Sequence, residues 1–79
     1  MKKIYLSQTI YEIVMLYPEV KVILYELGFK NIKQPAMLQS AGRYMTIPKG
    51  AKMKKIPEAT IKQAFEAAGY ILEGDFNGK

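Results

Sequence analysis

Apolar positions recur along the chain at the spacing of one helical face. Ile10, Ile13, Val14 and Tyr17 stand at i, i+3, i+4 and i+7, so this stretch reads as an amphipathic helix. Thr9 precedes the set, with Glu12 three residues on, the pattern of a capping box in which hydroxyl and carboxylate each satisfy an orphan N–H. Pro18 ends this helix, which spans about 10–16, and suits the first position of the next. Val20, Ile23, Leu24 and Leu27 repeat the spacing, predicting a second helix over 18–27. Gly28 then stands where a left-handed residue is needed, and Phe29 can fold back on Leu24 in a Schellman motif.

The pattern is looser over 29–46. Pro35 opens a short helix over 35–41, with Gly42 ending it. Thr46 is an N-cap for a helix at 47–54, against which Pro48 and Gly50 count. Pro57 opens the last helix, 57–68, where Ile61, Ala64, Phe65 and Ala68 give the helical face a third time. Gly69 and Tyr70 end it as Gly28 and Phe29 end the second helix, with Phe65 as the apolar contact. Ile4-Tyr5-Leu6 and Tyr70-Ile71-Leu72 favour strands and can pair as a two-stranded ribbon joining the termini. Residues 74–79 are expected to fray. The fold class read from the pattern is all-α: a compact array of about five short helices in one domain spanning 1–79.

Composition narrows the chemistry. There is no Cys and no His. Zinc and iron sites draw on those side chains, thiol–disulfide exchange needs a thiolate, and general acid–base work would fall to a tuned Glu, Lys or Tyr. The seven acids are mostly single, and the close pair Glu73 and Asp75 lies in a Gly-rich tail. No glycine fingerprint for phosphate is present. No enzyme, no metal and no cofactor are expected. No apolar run reaches the ~20 residues of a membrane span, and Met1-Lys2-Lys3 leads into a stretch too polar for a signal peptide, so the expected compartment is the cytoplasm. Net charge is +5, which suits anionic partners as well as plain solubility.

The run Thr9-Ile10-Tyr11-Glu12-Ile13-Val14 through Tyr17-Pro18-Glu19, closing in Leu27-Gly28-Phe29, resembles the N-terminal pattern of a small bacterial and archaeal helical family labelled a domain of unknown function. One branch is called the hybrid-cluster-protein-associated redox disulfide domain, and the N-terminal domain of iron–sulfur-cluster repair proteins is similar over the same stretch. Gly42-Arg43-Tyr44-Met45-Thr46 with Gly50-Ala51-Lys52-Met53 is similar to the cysteine-free branch, also met fused to sensor and hemerythrin-like domains. The resemblance spans roughly residues 6–72 and implies a helical fold with a link to redox or nitric-oxide regulation. The redox branch places cysteines just after the glycine ending the second helix, where this chain reads Gly28-Phe29-Lys30-Asn31-Ile32. A thiol role therefore does not transfer.

Two functional readings remain. The first is a protein-interaction or small-ligand module, whose partner is an unknown protein or a small anionic ligand and whose state is a monomer or weak homodimer. It rests on apolar residues beyond the helical faces: Tyr11 and Met15 on the first helix, Val22 and Tyr25 on the second, types suited to a contact surface. Alternatively, segment 30–46 folds over these four and completes the core. Arg43 and Thr46, with Lys49 and Lys52, are candidate anion or ligand contacts. A cleft lined by Arg43, Thr46 and residues 29–34 would favour a ligand, and a flat Tyr/Met patch a protein. The second reading is nucleic-acid binding through 47–68, laid out as short helix, turn and longer helix with Lys49, Lys52 and Lys55 on one edge. Against it, Lys55-Ile56-Pro57 crowd the turn where a glycine is expected, and Glu58 would sit at the tip of the recognition helix, beside phosphates.

Overall fold

The fold begins and ends on the same ribbon. In the computed structural model, which describes residues 2–74 and 76, β1 (Lys2–Tyr5) pairs in parallel with β2 (Tyr70–Glu73), Ile4 standing opposite Leu72. Parallel pairing needs a crossover. Here the crossover holds all five α-helices: α1 (Ile10–Leu16), α2 (Val20–Leu27), α3 (Pro35–Ser40), α4 (Ile47–Lys54) and α5 (Glu58–Ala67). One core fills the space between them. Ile4, Ile13, Val20, Leu24, Ile47, Ile61 and Phe65 are fully buried at its centre. No helix among the described residues is long and apolar enough to cross a membrane.

Helix ends follow the capping chemistry. Thr9 Oγ1 accepts the Glu12 N–H at 3.1 Å, and Glu12 Oε1 accepts the Thr9 N–H at 2.9 Å, closing the capping box of α1. At the end of α2, Gly28 adopts φ +120° and the Phe29 N–H donates to the Leu24 carbonyl at 2.9 Å, the Schellman bond. The rings of Phe65 and Tyr70 meet edge-on at 6.1 Å across the corresponding end of α5.

Prolines shift the helix starts from the sequence reading. Pro18 and Glu19 form a tight turn before α2, with the Lys21 N–H bonding the Pro18 carbonyl at 3.2 Å, so the α-helix begins at Val20 rather than 18. Pro57 keeps an extended ψ of 138° and caps α5 from outside, which begins at Glu58. The segment read as loose contains an unforeseen 3₁₀ turn at Lys30–Lys33, and a second at Ala41–Arg43 carries the chain through Gly42 where an end was expected. Of the tail expected to fray, residues 75 and 77–79 lie outside the described residues. Phe76 packs into the core with Lys62 Nζ 5.9 Å from its ring centroid.

Candidate functional site

Two helix starts meet at the base of an apolar groove. Thr9 and Thr46, the N-caps of α1 and α4, form an isolated antiparallel bridge, and the Ile10 N–H donates to the Met45 carbonyl at 2.8 Å. Thr46 Oγ1 accepts the Lys49 N–H at 3.3 Å, so its hydroxyl is spent on the cap. This junction fixes Met45 between α3 and α4. The floor is core: Ile10, Phe29, Ile32 and Leu38 are all buried. Phe29 reaches α4 because residue 50 is glycine; a β-carbon there would overlap the ring.

Methionines make the walls. A cavity of about 260 Å³ opens between the Lys30–Lys33 turn, α3 and α4, with Met37, Met45 and Met53 around its mouth and Lys54 at its border. A shallower depression of about 510 Å³ adjoins it, sharing Ala41, Met45 and Met53 and adding Tyr44, Lys49 and Lys52. Met53 is 71% exposed and Tyr44 79%. Neither lining contains a carboxylate, and among the described residues the only charged groups in them are Lys49, Lys52 and Lys54. A third depression, of about 340 Å³, lies around Ile56 and Pro57 and holds Glu58.

The residues singled out from sequence divide between core cover, open surface and groove. Tyr11 is half-buried against the core, and the Arg43 guanidinium lies 4.5 Å from its ring centroid. Tyr25 also packs on the core, with Lys30 Nζ and Lys33 Nζ 4.4 and 4.2 Å from its ring centroid. Met15 and Val22 are open, at 63% and 53% exposure. Arg43, turned to Tyr11, and Thr46 are absent from the groove linings, whereas Lys49 and Lys52 border the shallower half. The groove therefore takes Phe29, Asn31 and Ile32 from the 29–34 segment but neither Arg43 nor Thr46.

Residues 47–68 form helix, turn and helix, and the turn supplies the left-handed residue that Gly would ordinarily provide through Lys55, at φ 56°. α4 and α5 make few close contacts with each other, unlike the packed pair of a DNA-reading helix-turn-helix.

Sequence reasoning missed Met37, Tyr44, Met45 and Met53. The available signal was their crowding, since three of the chain's five methionines fall between residues 37 and 53. A polar cluster at the ribbon, where Lys2 pairs with Tyr70, lies outside both groove linings. The Tyr70 hydroxyl donates to Glu19 Oε2, which also accepts from Lys2 Nζ at 3.3 Å. Burial first, then this carboxylate, push the Tyr70 phenol up to about 12, and the phenol's hydrogen bond holds Glu19 below its ordinary value.

Comparison with known proteins agrees with this architecture. A crystal structure of a conserved domain protein from Streptococcus pneumoniae is 36% identical, with a TM-score of 0.90 over 95% of each chain. None of the curated proteins matches the chain. The sequence pattern of the domain of unknown function DUF1858 matches residues 4–62. It covers well over half the chain and falls on the helices that bear the Thr9 capping box and the Gly28-Phe29 end, so the chain belongs to the DUF1858 family.

Proposed function

We propose that this domain is a non-catalytic protein-interaction module of the cytoplasm whose working surface is the methionine groove between α3 and α4. The supporting observation is the composition of that surface: Met37, Met45, Met53 and Tyr44 stand around a preformed apolar floor and leave it open. Unbranched methionines repack around varied shapes, and tyrosine offers wide apolar contact at low entropic cost. The donor set available for chemistry is poor, since the chain has neither thiol nor imidazole and its one strongly shifted phenol, Tyr70, is engaged with Glu19. Recognition is the function these residues serve.

The test is a display selection of random peptides on the intact domain, counter-selected on Met37→Glu/Met53→Glu. Both positions are exposed enough for the variant to fold, which circular dichroism checks. Labelling methionine methyl groups with carbon-13 locates binding, because Met15 on α1 is a built-in control. Selected peptides are expected to shift Met37, Met45 and Met53 and leave Met15 still. Peptides that bind the variant equally, or that move only Met15, would overturn the groove assignment.

A further inference from the structure

Resting on the groove assignment, we infer that the occupant is an acidic amphipathic α-helix from another protein, laid with its apolar face on Met37, Met45 and Met53. Charge complementarity carries the choice of an acidic partner. Lys49, Lys52 and Lys54 flank the apolar strip, and no carboxylate from any element packed around it enters either lining. A basic segment there would meet like charge on its way in, whereas Asp and Glu beside the apolar face would be drawn toward the lysines.

Backbone chemistry selects the helix. Most of the groove wall is α-helix or 3₁₀ turn. Outside those elements the Phe29 N–H is bonded to Leu24, the Tyr44 and Met45 N–H groups to Ala41, and the Met45 carbonyl to Ile10, so most wall N–H and C=O groups are already spent. An extended peptide would lose hydration from its own backbone and find no ladder in exchange. A helix arrives with those bonds already made and presents side chains at i, i+3 or i+4, and i+7.

A second copy of this chain is the nearest rival. Its α1–α2 segment carries exposed Met15, Leu16 and Val22, with Glu12 on α1, Glu26 on α2 and Glu19 in the turn between them. However, Glu12 is held in the cap of α1, and Glu19 is held by Tyr70 and Lys2. Docking that segment onto the groove of another molecule is also a head-to-tail contact, which builds rings or open filaments rather than the simple isologous dimer that is commonest among small proteins.

The experiment displays a helical library on the full chain, with apolar residues fixed at i, i+3, i+4 and i+7 and the flanking positions free among acidic, basic and neutral types. Selected binders are expected to carry Asp or Glu at the flanks, to gain helicity on binding and to shift the three groove methionines. They should bind at least tenfold tighter than the same peptides with Lys at those flanks, with the difference shrinking from 50 to 200 mM salt. Charge reversal at Lys49, Lys52 and Lys54 together should invert the preference. Neutral or basic binders that still shift the groove methionines would overturn the acidic helix and leave the groove standing. No enrichment, or binding seen only at Met15, would remove both. Duplex DNA displacing the peptide, or concentration-dependent self-association that shifts the groove methionines, would each replace the inferred occupant.

Discussion

A β-carbon on Gly50 would stand within 3.0 Å of Phe29 Cζ, and nearer still to the neighbouring ring carbon. The glycine in the middle of α4 is therefore the groove's structural cost: it gives up about 1 kcal/mol of helix propensity relative to alanine and lets a buried ring lie flush on the helix. Gly50→Ala is expected to destabilise the domain by about 1–2 kcal/mol, the overpacking penalty of ~1–3 kcal/mol outweighing the propensity gain. Denaturant unfolding measures it. Pairing the change with Phe29→Leu should recover much of the loss, and equal stability of Gly50→Ala and the parent would show that the ring moves aside freely.

Lys55 shows the opposite economy. It closes α4 at φ 56° and ψ 43°, with the Ile56 N–H returning to the Ala51 carbonyl at 2.9 Å. A left-handed residue with a β-carbon is strained by roughly 1–2 kcal/mol, and glycine recovers part of that against its greater freedom when unfolded. Lys55→Gly should therefore stabilise the fold by about 0.5–1 kcal/mol, seen as a higher denaturant midpoint with an unchanged slope. A loss of stability would mean that the lysine makes contacts worth more than its strain.

Lys55 also marks the limit of what the sequence displayed. Helices α1 and α2 were legible because their apolar spacing, caps and stops agree with one another at Thr9, Glu12, Gly28 and Phe29. The turn after α4 lacks its customary glycine, so the backbone's choice there is a tertiary matter. The groove was illegible for a related reason. Its methionines come from α3, the junction before α4, and the end of α4, and no local period relates them. What joins them is the Thr9–Thr46 bridge, a contact across 37 residues of chain. Conversely, Tyr11 and Tyr25 looked surplus only because the cations that cover them, Arg43, Lys30 and Lys33, lie off their helices.

That covering predicts unequal responses from two residues on one helix. Tyr11 rests on the core beneath Arg43, while Met15 is largely in solvent. Tyr11→Ala is expected to cost about 1–3 kcal/mol in unfolding, from lost partial burial and the lost cation–π contact. Met15→Ala should stay within about 0.5 kcal/mol, as open surface positions do. If Met15→Ala proved the costlier of the two, the half-buried position of Tyr11 would be wrong.

The Tyr70–Glu19 bond gives the domain two pH limits. Tyr70 titrates higher in the folded chain, at about 12 against its ordinary 10, so folding favours the protonated phenol. Its contribution is complete below pH 10 and is lost as pH climbs from 10 toward 12. Glu19 moves the other way, below its ordinary 4.5, chiefly through the phenol's hydrogen bond. Its contribution is complete above that value and is lost as pH falls below 4.5 through the folded-state value. Tyr70→Phe keeps the edge-on ring contacts with Tyr17 and Phe65 and removes only the donor. Its stability deficit should therefore be greatest between pH 6 and 9 and narrow on both sides. The phenolate absorbance that wild type shows in excess of Tyr70→Phe should rise near pH 12. A deficit independent of pH, or an excess absorbance rising at pH 10, would mean that the hydroxyl does not rest on Glu19.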